Sequence, residues 1–520
     1  MILEIMISKL KLGALTSYLT MFVNNILSLL FTPFLVDSLG KSQYGIYALM
    51  GTLIGYMTLL DLGIGNSLVR YIAKYRAEED MKSESQFFSL CLIIYLGISA
   101  LALVVGILIY SNIEIIFNQG LSVEELEIAK IIFGILIINI VIAFPFNAFS
   151  SVLRGYEKFA LLNITTMVRG VVRVGLLTLL LTFGYKAVTV VIVDTLINIL
   201  FGVINASYVF IVIKERITRP KFNRSFVLKI FKQSSLSFVI SLSGLVIWQL
   251  GNIMLGMFSG ASVVAIYAVG LQFTTYYMNI ASSISSVLIP RITMMVTKNV
   301  SENEMITFII RTARLQFIVL GYVIGGFSLF GRGFLTLWLG SDYITAWSIA
   351  MILMVPQTFT LLLSVPGSML IAKNKHGFKA LISIINAAII AVLIYFLVQA
   401  YGPYGATLGT TIGMLLVEII IMSIYYHIVL SINMLHFWKD TVLKFLPFVS
   451  IVIFIGVIII KLVPIISWKY LWLNGLVYTV LYCVFLYLLG ATNYEKSLIK
   501  VFIIGFLERL KKSKKHRFGG

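Results

Sequence analysis

Apolar residues in this chain run on in long, continuous blocks, separated by short polar stretches. A helix needs roughly 20 apolar residues to cross about 30 Å of hydrocarbon. Fourteen blocks meet that length: Leu12–Phe34, Tyr44–Gly65, Phe87–Tyr110, Ile131–Leu153, Ala160–Phe183, Val188–Ile213, Ser234–Phe258, Val263–Ile289, Thr307–Phe330, Ile344–Ile371, Ala380–Ala400, Pro403–His427, Phe445–Val463 and Leu471–Gly490. The alternating pattern of an outer-membrane β-barrel is absent. The expected fold is therefore an all-α integral membrane protein with about 14 transmembrane helices. The first block has Lys9 and Lys11 before it and no small-residue cleavage site after it, so it reads as a retained signal anchor.

Composition sharpens this picture. Of 520 residues, 60% are hydrophobic and 12% charged, about half the charged share of a soluble domain. A soluble core cannot hide that much apolar surface, which excludes a water-soluble globular protein. Lys and Arg number 40 against 21 acids, a net charge of +19. In a soluble protein that excess would suggest nucleic acid. Here the cations sit in short gaps between spans, which indicates the inner surface of a membrane, and no nucleic acid is expected. With a cytoplasmic N-terminus, 30 of the 40 fall on inner segments, 6 on outer ones and 4 inside spans. The expectation is a cell (inner or plasma) membrane protein with both termini cytoplasmic. No loop exceeds about twenty residues, so a soluble catalytic domain has no room and no enzyme is expected. Cys91 and Cys483 both fall in apolar runs and read as buried thiols; four scattered histidines make no ligand cluster, and neither a metal nor a cofactor is expected.

The chain also matches itself at an offset of about 220 residues. Gly40–Tyr56 (GKSQYGIYALMGTLIGY) aligns with Gly260–Tyr276 (GASVVAIYAVGLQFTTY), with identical pairs at Gly40/Gly260, Tyr47/Tyr267 and Tyr56/Tyr276. Both follow an inside-to-outside span, so the repeats run parallel. The reading is an N-terminal six-helix bundle (1–213), a basic cytoplasmic linker (214–233), a C-terminal six-helix bundle (234–430), two additional helices (431–490) and a tail (491–520). Parallel six-helix repeats are a transporter design, with a substrate cavity between them near mid-membrane. Pro145 in the fourth span and Pro356 and Pro366 in the tenth occupy corresponding places, where proline permits bending.

The stretch Asn24–Leu49 (NNILSLLFTPFLVDSLGKSQYGIYAL) with Leu59–Tyr75 (LLDLGIGNSLVRYIAKY) resembles the N-terminal signature of Wzx-type polysaccharide flippases. These form part of the multidrug/oligosaccharidyl-lipid/polysaccharide exporter superfamily. Phe334–Tyr343 and Val355–Ala380 resemble the C-terminal half of the same family, so the likeness covers roughly residues 10–430. It implies two six-helix bundles around a central cavity, usually with two extra helices. It also implies transport of an undecaprenyl-diphosphate-linked oligosaccharide repeat unit, of the O-antigen or capsule kind, to the outer leaflet. Lipid II flippases look different, with an Arg-Asp pair in the first span where this chain has Asn24-Asn25. Multidrug exporters often carry a cation-binding carboxylate in that span, and none stands here.

Intramembrane charges are the sharpest site signal, because a mid-span Arg costs roughly 2.5–3.5 kcal/mol on insertion scales unless it meets a wet cavity or a partner. Arg169 and Arg173 share one face of the fifth helix, about 14 and 20 Å deep. They line the cavity or pair with Asp194. Arg311 and Arg314 lie near the inner end of the ninth span, where they either join the substrate site or snorkel to headgroups. Arginine suits phosphate or carboxylate because its planar fork donates two hydrogen bonds. Trp248, Gln249, Asn252 and Tyr276 offer aromatic faces and amides to sugar rings, or serve as interhelical packing. Three acids are candidates for ion coupling: Asp61, Asp194 and Glu418. Asp61 could instead pair with Arg70, and Glu418 could be a neutral packing residue. Asn493–Phe518 has one apolar face and then a basic run from Lys511 to Arg517, as in an interfacial helix held by anionic membrane lipids. Expected partners are the lipid-linked oligosaccharide, anionic lipids and other polysaccharide assembly proteins. The competing readings are a small-molecule antiporter of the same superfamily and a membrane-embedded glycan polymerase or ligase.

Overall fold

The computed structural model describes residues 2–220, 224–298, 300–373, 377–498 and 500. The polybasic segment Lys511–Arg517 lies outside them, as does most of the tail. The described residues are predominantly helical, with no strand among them. Its helices are α1 (Ile2–Met57), α2 (Ile64–Ala77), α3 (Met81–Phe117), α4 (Val123–Gly155), α5 (Phe159–Thr182), α6 (Ala187–Tyr208), α7 (Arg224–Phe258) and α8 (Ala261–Thr297). They continue with α9 (Glu302–Leu339), α10 (Ile344–Leu362), α11 (Ser364–Ala372), α12 (Gly377–Gly413), α13 (Met422–Leu430), α14 (Met434–Trp438), α15 (Leu446–Leu462) and α16 (Trp468–Phe485).

Eleven segments among the described residues are long and apolar enough to cross a membrane. Two of these, Leu15–Asp61 and Gly377–Leu430, run through a break at Gly40 (φ 74°) and Gly402 (φ 53°), and each is long enough for two spans. With α8, 37 residues long, this is compatible with fourteen helices. Side chains such as Leu30, Ile211 and Trp472 are 70%, 72% and 74% exposed, which hydrocarbon tolerates and water would not. The same fact corrects one expectation. Cys91 is buried but Cys483 is exposed, because an apolar run in a membrane helix faces lipid as readily as protein.

Packing divides the chain into two compact units. The first comprises Met1–Gln272 with Gly377–Gly413, the second Phe273–His376 with Met414–Gly520. The units follow packing, not the sequence halves: α7 lies along α12 within the first unit. There α1 also packs on α5, α3 on α4 and α4 on α6. Close approach depends on glycine: a Cβ on Gly45 would stand 1.8 Å from the carbonyl oxygen of Ala261. In the second unit α9 packs against α10, α15 and α16. Tyr478 and Tyr482 of α16 donate to the carbonyls of Tyr322 and Ile318 on α9, at 2.9 and 2.7 Å.

Helix ends follow the local sequence. Ser122 opens α4 with a capping box: its hydroxyl accepts the Glu125 amide, and the Glu125 carboxylate accepts the Ser122 amide. The repeated glycines play one role, since Gly40 and Gly260 both adopt left-handed backbone, φ 74° and 95°. Five non-glycine residues do the same, namely Leu62, Glu79, Glu157, Lys214 and Ser431. The tenth span is interrupted at Leu363, between Pro356 and Pro366, whereas Pro145 sits inside an unbroken α4. The second span ends early, in a 3-10 turn (Thr58–Asp61) and left-handed Leu62 and Gly63.

Candidate functional site

A cavity of about 420 Å³ opens within the first unit, walled by α1, α5 and the start of α8. One polar stripe comes from α1, where Asn24, Ser28 and Thr32 recur every four residues and so share a face. Gln272 of α8 donates to the hydroxyls of Ser28 and Thr32, at 3.0 and 3.1 Å. The opposite wall carries Arg169 and Arg173, with Gly170 between them; a Cβ there would lie 2.7 Å from the Asn24 amide oxygen. Glycine therefore lets the arginine helix approach the asparagine.

The two arginines differ in charge balance. Arg173 is locked to Asp194 of α6 by a bidentate pair, Nε to Oδ1 at 2.5 Å and Nη2 to Oδ2 at 2.9 Å. Its Nη2 also donates to the Tyr47 hydroxyl at 3.2 Å, and that hydroxyl leans on Asp194 at 3.4 Å. The pair is partly exposed, 28% and 21% at the side chains. Arg169 is exposed, and no acid lies within salt-bridge distance of it among the described residues. Its Nη2 donates to the Asn198 side-chain oxygen. Asn198 in turn donates to Asn139 at 2.8 Å, and Asn139 to Thr195 at 3.0 Å. This amide chain orients Arg169 without neutralising it. Arg169 thus gives the cavity one uncompensated positive charge and a ring of hydroxyl and amide groups, which suits an anionic, hydrogen-bonding ligand.

The remaining candidates lie elsewhere. Gln249 and Asn252 of α7 close a polar knot with Thr52 of α1: Thr52 donates to Gln249 at 3.3 Å and Asn252 donates to Thr52 at 3.2 Å. Trp248 and Asp61 line a second cavity of the first unit, about 510 Å³, with Thr58, Asn66 and Ser241. In the second unit Tyr276 meets Phe273 edge to face at 6.1 Å. Glu418 sits on a π-helical turn, Met414–Ile421. Arg311 stacks over the Tyr494 ring at 4.5 Å. Arg314 is buried and bound to Glu495, Nε to Oε1 at 2.7 Å. The first cavity therefore unites Arg169 and Arg173; sequence reasoning did not assign Asn24, Ser28, Thr32 or Tyr47 to it, nor Asn198 as the partner of Arg169. The four-residue spacing on α1 was the legible signal for the first three.

A family model described as polysaccharide biosynthesis protein matches residues 11–296. The chain is 24% identical to a putative O-antigen transporter of Shigella flexneri over 405 residues, 75% of this chain and 92% of that one. It is also 24% identical to the uncharacterized membrane protein EpsK of Bacillus subtilis, over 95% of this chain and 97% of that one. In fold it is similar to the lipid II flippase MurJ in an inward closed conformation, with a TM-score of 0.71, 16% identity, and coverage of 93% of this chain and 99% of that chain. The chain belongs to the polysaccharide biosynthesis protein family.

Proposed function

We propose that this transporter is a flippase for an undecaprenyl-diphosphate-linked oligosaccharide repeat unit, carried across the cytoplasmic membrane by alternating access for surface polysaccharide assembly. The observation that carries the reading is Arg169: a cation with no carboxylate on it, facing a cavity lined by Asn24, Ser28, Thr32 and Gln272. A diphosphate or an acidic sugar supplies the missing negative charge, and hydroxyls and amides match a glycan. Arg173, already balanced by Asp194, shapes the wall and orients Tyr47. The charge ledger supports cytoplasmic termini in this reading. Ion coupling through Asp61, Asp194 or Glu418 belongs to the same proposal; for Asp194 it would require breaking the pair with Arg173.

The second reading, a small-molecule antiporter, is disfavoured by the sign of the cavity, since a cationic drug would meet Arg169. The test is complementation of a strain lacking its own flippase. The wild-type chain should restore surface glycan. Arg169→Ala with Arg173→Ala should leave protein in the membrane but trap carrier-linked repeat units on the cytoplasmic side. Normal export by the double variant would overturn the proposal, and drug resistance without glycan rescue would favour the antiporter.

A further inference from the structure

The segment that leaves α6 is basic and exposed. Lys214, Arg216 and Arg219 all face out, yet its one acid, Glu215, is 8% exposed. A left-handed turn at Lys214 (φ 62°) folds the chain back, so that the Glu215 amide donates to the Val209 carbonyl at 3.2 Å. The buried carboxyl meets a second one. Glu84, in the first turn of α3, is fully buried at 0% exposure, and neither of its carboxylate oxygens has a hydrogen-bond partner of good geometry in the protein. One Glu215 oxygen is likewise unpartnered.

The groups facing this pair are few. From α3 comes Ser85, beside Glu215, and from the acid's own segment the Arg216 amide, which donates to the Glu215 carboxylate. From the end of α4 comes the Tyr156 phenol, beside Glu84. From α2 comes Arg76, which is spent on the Tyr156 ring at 5.0 Å and on the Gly155 carbonyl at 3.4 Å. No cation lies within salt-bridge distance of either acid among the described residues. Two carboxylates buried side by side repel each other, and burial favours the protonated form of Glu215. One proton resolves the conflict: the protonated carboxyl donates to its neighbour's carboxylate.

We propose that Glu84 and Glu215 form a proton-binding site that fastens the segment after α6 to α3, one proton being held between the two carboxylates in the fastened state. Burial first, and then the Glu84 carboxylate, push the Glu215 carboxyl up to about 7. Burial and Glu84 also raise the Tyr156 phenol. The sign follows directly. A carboxyl whose folded value lies above its free value of 4.5 supports docking fully below pH 4.5. That support is lost as pH rises through about 7. Above neutrality the segment is held chiefly by the Thr218 amide, which donates to the Ser89 hydroxyl at 2.9 Å. Placement on the cytoplasmic side rests on the orientation proposed above; the proton site itself does not.

The test is hydrogen–deuterium exchange of the full-length chain in lipid nanodiscs, read on the Lys214–Pro220 segment and corrected for intrinsic rates. Between about pH 5.5 and about pH 8.5, protection of the Thr218 amide should fall at least tenfold in the wild type. Glu84→Gln and Glu215→Gln, tested separately, should each flatten that dependence, so one well-folded variant suffices. A flat wild-type profile, an unchanged slope in both variants, or protection that follows sodium at constant pH would each overturn the proposal. None of these readouts involves transport, so they stand apart from the flippase reading.

Discussion

Replacing Glu495 by alanine strands a buried cation. Arg314 is 7% exposed and donates to both Glu495 oxygens, at 2.7 and 3.1 Å. It also donates to the carbonyls of Asp440 and Gly490, at 2.6 and 3.0 Å. Those carbonyls belong to π-helical turns, Lys439–Leu443 and Leu486–Gly490, so the guanidinium ties two irregular helix ends to the segment that follows α16. Glu495 itself accepts the Thr492 amide at 2.7 Å. Removing one member of a buried pair leaves an uncompensated charge and costs about 3–5 kcal/mol. Denaturant unfolding in micelles, followed by tryptophan fluorescence, should show a loss of that size for Glu495→Ala. The double variant Arg314→Met with Glu495→Leu should recover most of it, because apolar replacement of a whole buried pair is often neutral. Acid should act in the same direction as the single variant. Burial alone would raise the Glu495 carboxyl, but the Arg314 hydrogen bond and the Thr492 amide outweigh burial and hold it below its ordinary 4.5. Its contribution is therefore present above that value and is lost as pH falls through the depressed one. A loss under about 1 kcal/mol for Glu495→Ala, the worth of an exposed pair, would refute the claim that this pair is dry.

Three further outcomes follow from the packing. Asp194→Asn should weaken export more than Tyr47→Phe in the complementation assay, because it leaves Arg173 uncompensated whereas the phenol supplies only two long contacts, at 3.2 and 3.4 Å. Gly45→Ala should lower the folded yield sharply in detergent chromatography, since its new methyl would overlap the Ala261 carbonyl. Cys483 should react with a membrane-permeant maleimide in the folded protein while Cys91 stays unlabelled until denaturation; mass spectrometry separates the two.

The membrane helices were legible because hydrocarbon imposes one simple demand, a run of about twenty apolar residues. The Arg173–Asp194 pair was legible as one of two readings, since Asp194 is the one charged residue in the sixth span, Val188–Ile213. Other features were not. The partner of Arg314 lies 181 residues away, a distance no spacing rule bridges. Asn24, Ser28 and Thr32 are small enough to satisfy their own helix, so they carry little insertion penalty and attract no notice. Glu84 and Glu215 sit at helix ends, where a charge is ordinary until the fold shows it buried. The compact units also differ from the halves of the internal repeat, because helix contacts, not sequence echoes, decide which segments pack together.

Of the five left-handed non-glycine residues, Glu157 and Lys214 adjoin Tyr156 and Glu215, and Glu79 lies in the turn that leads into the α3 turn carrying Glu84. An L-residue in that conformation costs roughly 1–2 kcal/mol, so this one end of the first unit stores about 3–6 kcal/mol. Energy held that way is released when the local backbone lets go, and the rest of the bundle need not follow. The turns after α2, α4 and α6 are thus expected to open at lower free energy than the apolar interior they flank, which amide exchange would show as earlier loss of protection there.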